Sequence, residues 1–243
     1  MKKNIKEQDL IFGIHPIVEL LKAKKRSIQA LYTTKPFPKQ WDEIEPLLNK
    51  KIAVNYITRD SLTRMAGTTD HQSVVAFASP MPRRKKFFSP DKEKFLVMLD
   101  GIQDPRNLGA ILRSAYCTGA QGVIITQKKS APLNAVALKS SAGLAEHLEI
   151  YEAPSAQAAV LELKKAGYAL YLAALGGKSA VEVTYSMPLC VVIGNEGTGI
   201  TPAILNEGTR VMLPQRLPDI SYNASVAAGI LLFMIAEKNS IIR

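Results

Sequence analysis

Short, wholly apolar runs alternate with longer segments whose apolar residues recur every three or four positions, and that alternation predicts the elements. In residues 14–25, Ile14, Ile17, Val18 and Leu21 fall at i, i+3, i+4 and i+7, the spacing of one helix face. The runs at 28–34 and 52–58 read as strands, with a helix expected over 40–50 between them and a short strand at 73–78. From residue 95 the alternation resumes. "FLVMLD" (95–100), "GVIIT" (122–126), "LCVVIG" (189–194) and "RVMLP" (210–214) read as buried strands, as does 168–175. Helices are expected over 107–119, capped by Asn107 and ended by Gly119, over 154–167, and over the long apolar segment 223–239. Short apolar strands separated by helices predict an α/β fold: a mostly parallel sheet with helices on both faces, preceded by a small α/β module.

One stretch breaks the alternation. "SPMPRRKKFFSPDK" (79–92) has three prolines, four consecutive basic residues and neither period, which predicts a linker. The expected organisation is a module at 1–79, a linker at 80–92 and a larger domain at 93–243. Charge sharpens that division. Residues 1–90 hold 17 lysines and arginines against 8 acidic residues; residues 91–243 hold 14 against 13. Nearly all of the net charge of +10 lies in the first third, which points to capture of a polyanion, with nucleic acid the foremost class. The RRKK run itself reads either as a phosphate contact or as a solvated tether.

Composition excludes several classes. With 47% hydrophobic residues a sizeable core can form, yet no apolar run approaches the ~18–20 residues of a membrane span. The basic start, "MKKNIKEQDL", lacks the apolar region of a signal peptide, so a cytoplasmic protein is expected. Cys117 and Cys190 have no metal-site or disulfide spacing and read as buried, reduced thiols; the three histidines are scattered, and no metal is expected. "LGGKS" (175–179) resembles the end of a phosphate loop, but Leu172 stands where that loop needs an earlier glycine.

Chemistry is expected at the carboxyl ends of the strands. After 95–100 come a polar turn and a helix carrying Asn107 and Arg113; Arg113 is either paired in the core, facing a site, or simply on the wet face of its helix. After 189–194 comes "GNEGTG", whose glycines 194, 197 and 199 fit neither a Walker loop nor G-x-G-x-x-G. Glycines there permit close backbone approach to a ligand, with Glu196 as the one carboxylate. After 210–214, Ser221 and Asn223 precede the last helix and can cap it.

In this order, N-x-G-x-x-x-R, then I-G-N-E-G-x-G, then L-P…S-x-N-x-S-V-A-A, the three stretches resemble the motifs of the SpoU (TrmH) family of RNA ribose 2'-O-methyltransferases. The resemblance spans 95–240, and "FGIHPIVELLKAKKR" and "DHQSVVAFASP" are similar to the family's RNA-binding extension. It is closest to the bacterial subgroup that methylates a guanosine of large-subunit (23S) ribosomal RNA. The resemblance implies a C-terminal trefoil knot, a homodimer, and S-adenosyl-L-methionine bound by Ile193, Gly194, Gly197, Leu213 and Tyr222. It implies a catalytic set of Asn107, Arg113, Glu196, Ser221 and Asn223, with Glu196 a partner of the arginine and the asparagines. RNA is the implied partner, with neither DNA nor a membrane. Transfer RNA as substrate, or an inactive ribosome-assembly factor, are the alternatives. The sequence departs from the family pattern at Ser73, where glycine is common, and at Gln215, Leu217 and Tyr222 of the third motif.

Overall fold

A computed structural model describes residues 8–217 and 221–242. The chain divides into two compact units: the segment ending at Pro82 together with Leu133–His147, and Arg83–Pro132 together with Leu148 onward.

The first unit holds β1 (Asp9–Phe12), α1 (Ile14–Ala23), β2 (Ile28–Thr33), β3 (Val54–Tyr56), α2 (Arg59–Ala66) and β4 (Val74–Ala78). Its four-stranded sheet has the order β1-β4-β2-β3, antiparallel except for the parallel pair β2–β3. The helix expected over 40–50 is instead two short 3-10 turns, Trp41–Glu43 and Glu45–Leu47. Pro46 accounts for this: it lacks an N–H and clashes with the preceding turn, so no continuous helix can cross it. Helix α2, not expected from the pattern, buries only Leu62 and is set by the cap at Thr58, whose side chain accepts from the Ser61 N–H.

Residues 133–147 join this unit although they follow the second unit's first strands in sequence. Asn134 caps α4 (Ala135–Ser140) by accepting from the Val136 and Ala137 N–H groups at 3.1 and 3.2 Å. A side chain on Gly143 would meet Pro16 Cα of α1 at 2.7 Å, so the segment lies directly on that helix. Arg26, wholly buried at its side chain, bonds Glu146 and Asp9 at 2.8 Å each and closes the junction. Burial raises the Glu146 pKa, and the Arg26 charge works against that shift.

The second unit is a six-stranded sheet. Its strands are β5 (Phe95–Asp100), β6 (Gly122–Thr126), β7 (Ile150–Ala153), β8 (Ala169–Ser179), β9 (Leu189–Gly194) and β10 (Thr209–Met212). The order is β10-β8-β9-β5-β6-β7, and every pair is parallel. All six residues of β5 and of β9 are buried, and because alternate side chains point to opposite faces, both faces of the central strands are covered. One face carries a core of Leu96, Met98, Ile124, Cys190 and Val192 against Ala159, Val160 and Leu163 of α5 (Ala156–Ala166). Helix α6 (Ala224–Lys238) packs against β9 and against α3 (Pro105–Cys117).

Three local expectations change. Helix α3 starts two residues early because Asp104, not Asn107, caps it, accepting from the Arg106 N–H at 2.8 Å. That leaves the Asn107 side chain free for other work. Cys117 is exposed in the last turn of α3, while Cys190 is buried and its thiol pKa is pushed up by desolvation. The RRKK run is neither a free tether nor wholly a phosphate contact: Arg84 pairs with Glu93 at 3.1 Å and Arg83 with Glu152 at 2.5 Å, both within the second unit. No helix among the described residues is long and apolar enough to cross a membrane.

Candidate active site

Because the central strands are parallel, β5, β9 and β10 end on one edge, and the loops that follow them carry the three motifs. The loop after β9 is a closed hairpin. Asn195 and Gly199 exchange both backbone hydrogen bonds at 2.9 Å. Inside it, Asn195 Oδ1 accepts from the N–H groups of Gly197 (2.9 Å) and Thr198 (3.0 Å) and from the Thr198 hydroxyl (3.2 Å). The N–H groups of residues 197–199 therefore all serve the turn. A phosphate loop needs such groups aimed at the ligand, and this one does not offer them.

The hairpin is staked to β5 at both ends. Asn195 Nδ2 donates to the Gly101 carbonyl at 2.7 Å, and buried Asp100 accepts from the Thr201 N–H at 2.7 Å and its hydroxyl at 3.2 Å. The two implicated glycines do different things. A Cβ on Gly194 would lie 2.4 Å from Gly199 C and Ile200 N, so the returning chain requires its absence. A Cβ on Gly197 would meet only Asn195 Oδ1 at 3.6 Å, leaving the loop's tip open.

Glu196 stands at that tip and reaches the α3 loop. Its carboxylate accepts from Asn107 Nδ2 at 2.9 Å and from the Gln103 N–H at 3.4 Å. Asn107 Oδ1 in turn accepts from Asn223 Nδ2 at 3.2 Å. Asn223 is also the cap of α6, its Oδ1 accepting from the Ser225 N–H at 2.9 Å and the Ser225 hydroxyl at 2.6 Å. One relay, Glu196–Asn107–Asn223, thus joins all three motifs, with donors and acceptors alternating so that each amide has one orientation.

Beside the relay lies a cavity of about 430 Å³. Ile193, Gly194, Gly197, Leu213 and Tyr222, the five residues expected to bind a cofactor, all line it, as do Glu196 and Ser221. Its apolar walls include Leu175, Met212, Ala227 and Leu231. The structure does not bring Arg113 into the relay. It is exposed on α3 and makes no hydrogen bond or ion pair with any described residue, so Glu196 pairs with Asn107 and not with Arg113. Pro218–Ile220 of the atypical third-motif loop lie outside the described residues. Among the described residues no cluster of His, Cys, Asp and Glu is placed to hold a metal ion.

Sequence reasoning passed over two residues here. Asn195 organises the whole hairpin; the N-x-G spacing of an Asx turn was the available signal. Arg210, on β10, is the one cation among the described residues lining the cavity. It opens the apolar run 210–214, and nothing in that run marks the pocket.

The motif geometry has a counterpart among known proteins. The family model described as SpoU rRNA methylase matches residues 94–233. The chain belongs to the SpoU methylase family. A second model, described as RNA 2'-O ribose methyltransferase substrate binding, matches residues 10–83. Relatives of this SpoU protein include an uncharacterized tRNA/rRNA methyltransferase of Mycolicibacterium gilvum, 32% identical over 97% of this chain and 78% of the relative. Its fold is shared with a crystal structure of an RNA 2'-O ribose methyltransferase, with a TM-score of 0.84 at 21% identity, covering 97% of this chain and 90% of that one. It is shared as well with an AdoMet-bound rRNA methyltransferase from Sinorhizobium meliloti, with a TM-score of 0.81 at 20% identity over 97% and 88% of the two chains.

Proposed function

We propose that this protein transfers a methyl group from S-adenosylmethionine to a ribose 2'-hydroxyl in RNA, and that its target is a guanosine of large-subunit ribosomal RNA. The observation that carries the reading is the convergence of three separated motifs on one relay at the rim of one cavity. Family membership and the match of residues 10–83 to a substrate-binding model support it.

The residues present fit the cofactor. A volume of about 430 Å³ lies within the range of small-molecule sites, ~300–1,000 Å³. Leu213, Met212, Ala227 and Leu231 offer an apolar wall for an adenine and the methylene groups of the methionine arm, and Arg210 offers a cation to an amino-acid carboxylate. S-adenosylmethionine supplies a sulfonium methyl open to in-line attack. The protein's task is then to place the 2'-oxygen and manage its proton, since a ribose hydroxyl is a very weak acid. Arginine is a poor base, so Arg113 binds an RNA phosphate and stabilises the developing oxyanion. It has no partner among the described residues, which leaves its fork available for that. Asn107, Glu196, Ser221 and Asn223 orient the substrate at the cavity rim.

We infer two further features. The chain is knotted where α6 returns to lie on β9 beside the hairpin, and the support is the strand order together with the close approach at Gly194. The protein is a homodimer through α6, which leaves Val226, Ile230 and Phe233 exposed at i, i+4 and i+7.

Methyl-labelled S-adenosylmethionine incubated with purified protein and separated RNA pools tests the reading. Label in ribosomal RNA is expected. Label confined to transfer RNA would replace the target, and label in neither would overturn the activity.

A further inference from the structure

Outside the catalytic unit, the carboxyl ends of the parallel pair β2–β3 carry an aromatic cluster that the methyl-transfer site does not use. Thr33 and Tyr56 are paired residues at the ends of these strands. The chain leaving β2 turns through Lys35 and Pro36 into Phe37, which comes back over Trp41. The Phe37 and Trp41 rings stack with centroids 4.8 Å apart and an interplanar angle of 11°. Tyr56 stands edge-on to Phe37 at 5.9 Å, and Lys35 Nζ lies 4.1 Å above the Tyr56 ring.

The burial is uneven in a telling way. Trp41 is only 6% exposed, whereas Phe37 is 43% and Tyr56 49% exposed. Trp41 is thus a rigid support under Phe37, and the outer face of Phe37 is left to solvent with a tyrosine and an ammonium at its margin. Large rings left exposed cost free energy that burial would recover, and flat rings flanked by a cation suit another π-face. The strap beside them also carries exposed Asp42, Glu43 and Glu45. Those carboxylates oppose a broad phosphate track, so the patch favours one stacked ring over a duplex backbone.

We propose that Phe37, Tyr56 and Lys35 form a stacking platform for an unpaired base of the substrate RNA. The base lies on the free face of Phe37, and Lys35 meets its phosphate or a carbonyl edge. This rests on RNA being the substrate. RNA is favoured over a protein partner by the basic excess of residues 1–90 and by the match of 10–83 to a substrate-binding model.

The test uses the full chain and two RNA probes of matched length: a hairpin with an unpaired loop and a fully paired duplex. Trp41 is the only tryptophan, so its emission reports directly on the platform. Loop RNA should change that emission, and duplex should not. Phe37→Ala and Tyr56→Ala should each weaken loop binding about tenfold or more while leaving duplex binding within about twofold. Phe37→Tyr and Tyr56→Phe, which keep the rings, should bind as wild type, and unchanged melting temperatures for the alanine variants exclude misfolding. Wild-type-like loop binding by both alanine variants, with methyl transfer to RNA intact, would overturn the platform and leave the activity standing. Absence of any RNA binding or transfer by the wild type would overturn the activity, and the platform with it.

Discussion

Asn223 does two jobs at once, and they can be separated. Its Oδ1 caps α6 while its Nδ2 reaches Asn107. Asn223→Ser should keep the cap, with stability changed by less than ~0.5 kcal/mol, but lose the link to Asn107, lowering transfer tenfold or more. Asn223→Ala should lose both, at a cost of about 1 kcal/mol in denaturant unfolding. Asn195→Ala removes four hydrogen bonds that close the hairpin and tie it to Gly101. Calorimetry should then show cofactor affinity reduced at least about tenfold, at ~1 kcal/mol for each bond not replaced by water. At this scale the sequence was readable in part. Glu196, Asn107 and Asn223 could be singled out as polar residues at strand ends. The pairing of Glu196 with Asn107 came only with the family resemblance, since from the residues alone Asn107 read as the helix cap, a role that Asp104 takes. Arg113 and Glu196 are opposite charges in adjacent motifs, yet the relay passes through an amide instead.

Elements built on long apolar runs were legible almost to the residue: β5 and β9 occupy the two runs expected of them, and α6 begins at the residue after its cap. Short elements were not. Helix α4 and strand β7 are six and four residues long, too short for a period to emerge, and are set by the Asn134 cap and by pairing with β6. The hairpin after β9 is an element whose geometry forbids a side chain. Gly194→Ala would force a Cβ to within 2.4 Å of backbone and should destabilise the protein by ~1–3 kcal/mol or more, read as a lower unfolding midpoint. In the first unit, fully buried His71 fixes the turn before β4. The Ser73 N–H donates to Nδ1 at 2.9 Å, so Nδ1 is unprotonated and Nε2–H faces the Thr63 hydroxyl at 2.9 Å. Burial, and then the Arg59 charge, hold its pKa below the ordinary 6.5. The unfolded chain therefore takes up a proton that the native state refuses. Stability is present above about pH 6.5, the unfolded value, and is lost as pH falls from there through the lower folded-state pKa. Thermal melts at pH 7.5 and 5.5 should show a drop that is smaller in His71→Asn, whose Oδ1 can still accept from Ser73.

For the whole molecule, the polarity of charge and the fold class were open to reading, but the division into units was not. A contiguous boundary in the proline-rich stretch is what local composition can signal. The attachment of 133–147 to the first unit depends on Arg26, Glu146 and the approach at Gly143, contacts between positions over a hundred residues apart. The exposed stripe on α6 belongs to this scale. Phe233→Asp should convert the proposed dimer to a monomer in light scattering, since a charge in an apolar interface is left without a partner. The account stands most directly on where the methyl group goes. RNA treated with the protein and labelled S-adenosylmethionine is digested to nucleosides and resolved by mass spectrometry. The account predicts label on the ribose of 2'-O-methylguanosine, lost in Arg113→Ala although that variant still binds the cofactor. Label on a base, or transfer by Arg113→Ala at the wild-type rate, would contradict it.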